Sequence, residues 1–306
     1  MMKVLITGGC GFIGTNLIKY LDGKGYSLRV IDNLSAGNKQ YLETLSLNET
    51  PELITEDIRN KEAVNKAVAG IDAVVHLAAH TSVVESLENP GEAWDINVNG
   101  TLNLLEACRR KGVARFIFAS SNAVLGEQPP PNDELKIPQP LSPYGASKLA
   151  GEALCSTYYH SFGLKTVSLR FANCYGPYSD HKPIVTALFM RQVKKGENLV
   201  IYGDGNQTRD FIHADDISQA IYLSLTSRNQ TCGEVFQIAS GIETSINQLV
   251  ELIGAISDKK LQIVYEPERK GEIRRNYSDI SKARAVLGFE PGVRLRKGLH
   301  DLWPSI

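Results

Sequence analysis

The sequence predicts an α/β protein in which a doubly wound parallel sheet carries a smaller mixed α/β substrate-binding lobe. Three observations predict this fold. Short runs rich in β-branched residues alternate with segments of helical period over the first half of the chain. The runs are apolar almost throughout, as in parallel strands that are covered on both faces. Beyond residue 172, loops marked by Pro and Gly precede a second set of short elements.

The predicted elements follow in chain order. The strands of the main sheet are the runs KVLIT, LRVID, AVVHLAA, RFIFAS and TVSLRF, and NVNGTLNLLEACRRKG between the third and fourth runs has a helical period. The segment from Asp210 to Leu225 is expected to return to the main sheet. We therefore assign 1–172 and 210–240 to a main domain built on this sheet, and 173–209 and 241–306 to the smaller lobe.

The composition narrows the classes of partner. The 306 residues carry a formal net charge of -1, with 33 basic and 34 acidic residues, so neither nucleic acid nor an anionic membrane is an expected partner. The first apolar run is too short for a signal peptide or a membrane span. Five scattered cysteines without CxxC spacing predict free thiols in the cytoplasm and no metal site.

The strongest local signal is VLITGGCGFIG, in which Gly8, Gly11 and Gly14 stand three residues apart between a predicted strand and a helix. Such glycines allow a tight turn, a close approach to a pyrophosphate and helix packing on the strand. The next strand ends at Asp32, whose carboxylate would accept both ribose hydroxyls of adenosine and repel a 2′-phosphate. The pattern predicts a Rossmann-like NAD site, and a tight turn with a capping aspartate is the alternative.

The segment SPYGASK places Tyr144 and Lys148 four residues apart, on one face of a helix. An ammonium beside a phenol, together with a nicotinamide charge, is expected to lower the pKa of the phenol. Tyr144 is therefore a candidate base. An exposed helix pair without a chemical role is the alternative.

Further motifs follow in a fixed order: HLAA, NVNGTLNLLEA, SS before VLG, RFANCYGP, YGDGNQTRDFIHADD and RKGEIRRNYSDISKA. Over nearly its whole length the chain resembles the extended short-chain dehydrogenase/reductase family, and within it the nucleotide-sugar epimerases and dehydratases. The resemblance implies bound NAD, a UDP-sugar substrate and a homodimer. The implied cofactor contacts are Gly8, Gly11, Phe12, Ile13, Gly14, Asp32, Asn33, Asp57, Ile58, Leu77, Ala78, Ala79, Asn97, Tyr144 and Lys148.

The resemblance also implies individual roles. Tyr144 would be the base, Lys148 would hold the nicotinamide ribose, and Ser121 would hydrogen-bond the reacting sugar hydroxyl. Asn173 and Arg209 would donate to the diphosphate, and for Arg209 an ion pair with an aspartate of its own loop is the alternative. The other implied substrate contacts are Asn122 and Asn276 at the sugar, Tyr202 against the base, Arg269 at the diphosphate and Glu272 at the uridine ribose.

The residues that follow Ser121 favour one reaction. A 4-epimerase needs one base and one tightly held NAD, whereas a 4,6-dehydratase needs a further acid and base. In dehydratases that resemble this chain, those groups are an Asp and a Glu directly after the active-site hydroxyl, where Asn122 and Ala123 stand here. We therefore expect an NAD-dependent UDP-sugar 4-epimerase. A 4,6-dehydratase, a 4-ketosugar reductase and an NAD-binding regulatory subunit stay as alternatives, although the carboxylate after the second strand disfavours NADPH and the Tyr and Lys pair is intact.

Two features bear on the sugar. Uronic-acid enzymes similar to this chain often carry an Arg after HLAA, where Val83, Val84 and Glu85 stand here, so a neutral sugar is favoured. Glucose-restricted epimerases place a Tyr where Asn276 stands, and a smaller residue leaves room for an N-acetyl group. We expect UDP-glucose/UDP-galactose interconversion with acceptance of UDP-GlcNAc/UDP-GalNAc. A UDP-uronic acid 4-epimerase, with Asn276 as an ordinary polar loop residue, is the alternative.

Overall fold

The computed structural model describes residues 1–180, 182–227, 229–259, 261–268 and 273–306. The described strands are β1 (Met2–Thr7), β2 (Tyr26–Ile31), β3 (Glu52–Ile54), β4 (Ala73–His76), β5 (Arg115–Ser121), β6 (Lys165–Phe171), β7 (Asn173–Tyr175), β8 (Leu199–Tyr202), β9 (Thr208–Arg209), β10 (Phe211–His213), β11 (Glu234–Ile238), β12 (Thr244–Ser245) and β13 (Ile263–Glu266).

The described helices are α1 (Phe12–Leu21), α2 (Lys39–Thr44), α3 (Lys61–Val68), α4 (Val83–Glu88), α5 (Pro90–Trp94), α6 (Gly100–Lys111), α7 (Pro143–Phe162), α8 (Val185–Lys195), α9 (Ala214–Thr226), α10 (Ile246–Ser257) and α11 (Leu295–Leu302). Single π-helical turns lie at Asp95–Asn99 and Ala283–Leu287, and 3-10 turns lie at Asn122–Val124, Asn229–Thr231 and Trp303–Ser305.

A seven-stranded parallel sheet forms the centre of the molecule, in the order β11-β6-β5-β4-β1-β2-β3. The chain builds outward from β1 to β3 and then crosses back to β4, so the strand order reverses between β1 and β4. Ligands of such sheets bind at this reversal, beyond the carboxyl ends of the strands. The predicted doubly wound parallel sheet is confirmed, and all five predicted runs form strands of it.

The apolar character of the strands follows from burial on both faces. Val4 and Ile6 of β1 lie in one buried cluster with α1 and α9, whereas Leu5 lies in another with α3 and α6. Successive side chains of a strand point to opposite faces, so a strand covered by helices on both sides is apolar throughout. The predicted return of the chain to the main sheet is also present, since α9 packs against α1 and β11 pairs with β6.

A smaller lobe has its own buried cluster, built from residues of α8, α10, α11 and β8 around Tyr175. Its short strand pairs are mixed, with β10-β7 and β13-β8 parallel and β12-β9 antiparallel. Asp210, fully buried, joins the lobe to the main sheet. Its carboxylate accepts hydrogen bonds from the backbone amides of Ser240, Gly241 and Ser278 at 2.8, 3.0 and 3.3 Å.

The five cysteines are free, and four of them are buried. The predicted free thiols are therefore present, while the cytoplasmic location stays a prediction. Among the described residues, no His, Cys, Asp and Glu side chains cluster in a way that could hold a metal ion. In the same part of the chain, no helix has the length and apolar character needed to cross a membrane.

Candidate active site

The glycine-rich turn joins β1 to α1 at the point where the sheet order reverses. Gly8 has φ +69°, and a Cβ there would lie 2.8 Å from the amide nitrogen of Ala78 in the loop after β4. A Cβ on Gly14 would lie 2.4 Å from the carbonyl oxygen of Gly8. Gly11 precedes α1 without a side chain to cap it, so the first backbone amides of the helix are available to an anion. This turn therefore fits the pyrophosphate of a dinucleotide, and Phe12 and Ile13 form the first turn of α1.

Asp32 directly follows β2 and is only 7% exposed. Its carboxylate accepts hydrogen bonds from the amides of Cys10, at 2.9 Å, and Leu34, at 2.8 Å. Burial raises the pKa of Asp32, and the two amides and the Lys182 ammonium oppose that rise. The hydrogen bond from Leu34 is the local contact that the alternative of a capping aspartate also predicts. The Cys10 bond ties the carboxylate to the glycine turn, where it fits the recognition of a ribose diol.

Three of the predicted cofactor contacts, Asn33, Asp57 and Ile58, lie close together. Asn33 donates from Nδ2 to Asp57 at 2.8 Å, and Ile58 is buried. Arg59 pairs with Asp57 at 2.8 Å and lowers the pKa of that carboxyl to about 2. The Asp57 carboxylate is thus bound by two protein side chains, and it orients the Asn33 amide.

Asn97 joins the loop after β4 to α7. The predicted cofactor residues 77–79 are half-buried in this loop. The Asn97 amide exchanges hydrogen bonds of 2.8 and 3.0 Å with the backbone of His80 and donates to Ser147 Oγ at 2.9 Å. Ser147 in turn donates to the carbonyl oxygen of Tyr144 at 2.8 Å. The buried amide of Asn97 therefore fixes α7 relative to the loop after β4.

The three predicted catalytic side chains meet at the end of β5. Tyr144 lies in the first turn of α7, and its side chain shares a hydrogen bond with Ser121, the last residue of β5. Ser121 Oγ also accepts from the amide of Ala123 at 3.1 Å. One turn further along α7, the buried Lys148 donates from Nζ to the carbonyl oxygen of Ala119 at 2.9 Å.

Burial controls the pKa values of this site. Burial raises the pKa of Tyr144 to about 12, and the hydrogen bond to Ser121 opposes the rise. Burial lowers the pKa of Lys148 to about 8. In the chain alone the desolvation of the phenol dominates its pKa, and the lowering by Lys148 together with a nicotinamide charge stays a prediction.

Asn276 lies beside this cluster and is only 6% exposed. Its Oδ1 accepts hydrogen bonds from Nδ2 of Asn122, at 3.3 Å, and from Nδ2 of Asn132, at 3.1 Å. Asn122 is the neighbour of Ser121 in the chain, so Asn276 stands next to the turn at Asn122–Val124, the predicted catalytic turn. The contact of Asn276 with a sugar stays a prediction, and its burial beside Asn122 supports that prediction over the alternative of an ordinary polar loop residue.

The residues predicted at the nucleotide end lie in the smaller lobe and at its junction with the sheet. Asn173 donates from Nδ2 to the carbonyl oxygen of Asp210 at 3.2 Å. Arg209 donates from Nη1 to the carbonyl oxygen of Ile273 at 2.7 Å. Tyr202 is half-buried at the end of β8. Two further predicted contacts, Arg269 and Glu272, lie outside the described residues.

Two polar side chains near the site are not predicted from the sequence. Asn132 lies in the Pro-rich loop before α7 and reaches Asn276 across 144 positions of the chain. Lys182 lies within electrostatic range of Asp32 and Glu85, and both carboxylates oppose the lowering of its pKa by burial. Neither residue belongs to a periodic segment or to a motif, so the sequence holds no signal that could identify them.

Comparison with known proteins agrees with this geometry. Residues 4–239 match the family described as the NAD dependent epimerase/dehydratase family. The structure is similar to UDP-glucose 4-epimerase from Thermotoga maritima, solved with UDP-glucose, with a TM-score of 0.92 and 36% identity over 98% of this chain and 96% of that chain.

Two further solved structures are as similar. One is a UDP-N-acetylglucosamine 4-epimerase from Methanobrevibacter ruminantium in complex with UDP-N-acetylmuramic acid, with a TM-score of 0.93 and 33% identity over 99% of this chain and 98% of that chain. The other is a UDP-glucuronic acid 4-epimerase from Bacillus cereus in complex with UDP-glucuronic acid and NAD, with a TM-score of 0.92 and 33% identity over 99% of both chains. Proteins of this shape therefore act on sugars that differ at C2 and C6.

Proposed function

Because the chain belongs to the NAD-dependent epimerase/dehydratase family, we propose that it catalyses NAD-dependent epimerisation at C4 of a UDP-sugar through a transient 4-keto sugar. The observation that carries this proposal is the catalytic cluster itself. One phenol is hydrogen-bonded to Ser121, and the next two residues, Asn122 and Ala123, provide no acid or base for an elimination.

In this proposal the residues of the cluster have separate tasks. Tyr144 takes the proton of the C4 hydroxyl and returns it, while Ser121 orients that hydroxyl by a hydrogen bond. Lys148, held by the carbonyl of Ala119, supplies a fixed positive charge and a donor for the nicotinamide ribose. Bound NAD supplies reversible hydride acceptance. Because Lys148 is only 4% exposed, its charge acts with little screening by water.

We propose that the domain formed by 1–172 and 210–240 binds NAD. The lobe formed by 173–209 and 241–306 binds the UDP-sugar. The glycine turn and Asp32 support the first assignment, since they form an anion site and a diol acceptor at one edge of the sheet. Arg209 supports the second, because its guanidinium donates to the carbonyl oxygen of Ile273 and thus joins two stretches of the lobe.

We propose UDP-glucose and UDP-galactose as substrates, with UDP-GlcNAc and UDP-GalNAc also accepted. The small buried side chain of Asn276 beside the catalytic turn supports the second pair. UDP-glucuronate is the second candidate, favoured by the similarity to the B. cereus enzyme. The residues Val83 to Glu85 offer no cation for its carboxylate.

The experiment that tests the function begins with the purified protein. Denaturation should release close to one NAD per chain, and the native protein should epimerise UDP-glucose without added cofactor. UDP-glucose, UDP-GlcNAc and UDP-glucuronate are assayed side by side. Little released NAD together with a requirement for external NADPH would replace the epimerase by a reductase, and formation of a 4-keto-6-deoxy sugar would replace it by a dehydratase.

The size of residue 276 should control the acceptance of N-acetylated sugars. Asn276→Tyr adds a ring beside the catalytic turn, so kcat/KM for UDP-GlcNAc should fall by about tenfold or more relative to that for UDP-glucose. The ratio of the two kcat/KM values is the measurement. An equal loss on both substrates would show that residue 276 does not gate size.

We also propose a homodimer that forms through α6 and α7, the helices for which the family resemblance implies pairing. Leu102 on α6 and Phe162 on α7 are 37% and 52% exposed, as expected for an apolar surface that a second copy covers. Leu102→Glu should convert a dimer into monomers in light scattering. Leu135→Glu, at an exposed leucine of the loop before α7, is the matched control and should stay dimeric. A monomeric wild-type protein would exclude this assembly.

A further inference from the structure

Three polar side chains form a line that ends at the proposed sugar site. Lys136 donates from Nζ to Asn132 Oδ1 at 3.4 Å and also to the carbonyl oxygen of Pro129. Asn132, which is 2% exposed, donates from Nδ2 to Asn276 Oδ1 at 3.1 Å. Asn122 donates to the same oxygen at 3.3 Å.

The backbone holds this line in place. The amide of Asn132 donates to the carbonyl oxygen of Tyr277 at 2.8 Å, and the amide of Asp279 donates to the carbonyl oxygen of Asn132 at 2.8 Å. The Pro-rich loop is thereby paired with the segment that carries Asn276, so the two amide side chains keep a constant separation.

The ammonium of Lys136 determines how both amides are oriented. An ammonium can only donate hydrogen bonds, so Asn132 must turn its oxygen towards Lys136 and its NH2 group towards Asn276. Asn276 must then present its own oxygen to Asn132 and to Asn122. The NH2 group of Asn276 is therefore turned away from all three residues.

The NH2 group of Asn276 makes no hydrogen bond to any residue in the part of the chain that the structure describes. A donor on a nearly buried side chain stabilises a bound molecule that offers it an acceptor, and it disfavours one that does not. Asn276 touches Asn122, and Asn122 adjoins Ser121, whose hydroxyl is hydrogen-bonded to Tyr144. The side chain of Asn276 therefore lies beside the turn at which the proposed reaction places the sugar.

We propose that Asn276 is a specificity-determining residue that donates from Nδ2 to the acyl oxygen of a UDP-N-acetylhexosamine. Lys136 and Asn132 are positioning residues that fix the direction of this donor without touching the substrate. This inference rests on the proposed function and goes beyond the size of residue 276, because it assigns the side chain an attractive contact with one substituent.

Lys136 can be substituted without a change at the sugar site, because it is half-buried and lies at the end of the line away from Asn276. Two variants at this position form a matched pair. In Lys136→Glu the carboxylate accepts from Asn132, so both amides should invert and Asn276 should present its oxygen to the sugar. The ratio of kcat/KM for UDP-GlcNAc to that for UDP-glucose should fall about tenfold. Lys136→Arg keeps the cation, so the ratio should stay within about twofold of wild type.

A second variant tests the same inference even if Lys136→Glu does not fold. Asn276→Asp removes the donor with almost no change of shape, and the same ratio should fall by about tenfold or more. Thermal unfolding of each variant identifies a loss that reflects folding alone. A constant ratio in both Lys136→Glu and Asn276→Asp would overturn the inference, as would a selective loss of UDP-glucuronate turnover.

The substrates that the wild-type protein epimerises distinguish a failure of the proposed function from a failure of the inference about Asn276. A wild-type protein that epimerises no UDP-sugar would overturn the proposed function itself. A wild-type protein that epimerises UDP-glucose but not UDP-GlcNAc would overturn only the inference about Asn276. Activity on both, with a ratio that falls in the two variants and is kept in Lys136→Arg, is the result that we expect.

Discussion

Tyr144→Phe is expected to lower kcat by about 10³-fold to 10⁴-fold while the bound NAD is retained. The substitution removes the phenol oxygen that exchanges a proton with the C4 hydroxyl, and it leaves the ring within α7. Asn122 and Ala123, the residues next to Ser121, hold no ionisable group that could take over this proton transfer. Steady-state turnover of UDP-glucose and the NAD released on denaturation are the two measurements.

Tyr159→Phe is the matched control, since it removes a phenol oxygen from the same helix, more than three turns from Tyr144. Its turnover and its NAD content should equal those of wild type. If Tyr144→Phe retained full turnover, Tyr144 would not be the base. If it lost NAD together with turnover, its main contribution would be to cofactor binding.

The parts of the site that follow from local sequence could be predicted. The glycine pattern predicts close backbone packing at Gly8 and Gly14, and a Cβ at either position would indeed lie within 3 Å of backbone atoms. Ser142 and Pro143 begin α7, with the Ser142 hydroxyl accepting from the amide of Gly145 at 3.1 Å, so the helical face of Tyr144 is set by its neighbours in the chain.

The parts that depend on tertiary contacts could not be predicted. The three-residue strand β3 is too short to show a period, and its place in the sheet is set by pairing with β2. Asn132 is recognisable only after the chain has folded, since its partner Asn276 lies in a different lobe segment. The pKa of Tyr144 rises for the same kind of reason, because burial is a property of the whole fold and spacing along a helix does not reveal it.

Removing the carboxylate of Glu152 is expected to lower the free energy of unfolding by about 3–5 kcal/mol. Glu152 and Arg170 form a two-pronged ion pair with N···O distances of 2.8 Å, and their side chains are 6% and 4% exposed. Ser120, the neighbour of Ser121, also donates to this carboxylate. In Glu152→Met the guanidinium stays buried without its hydrogen-bonded anion. Urea unfolding measures the loss.

The double variant Glu152→Met/Arg170→Met should recover most of that stability, because two apolar side chains of similar length replace a buried ion pair without leaving a charge. A double variant as unstable as Glu152→Met would show that packing or the bond from Ser120, rather than the orphaned charge, dominates. The two variants together therefore separate the cost of an unpaired cation from the cost of lost contacts.

The same double variant separates stability from catalysis. Glu152 lies one turn beyond Lys148 on α7, and its carboxylate raises the pKa of that ammonium against the opposing effect of burial. Without this carboxylate the pKa of Lys148 should fall below its present value of about 8. The positive charge exists below the pKa and is lost as the pH rises through it, so the alkaline limb of kcat should move to lower pH. An unchanged pH profile in a stable double variant would show that the charge of Lys148 does not limit turnover, which would leave the lysine with a positioning role at the nicotinamide ribose.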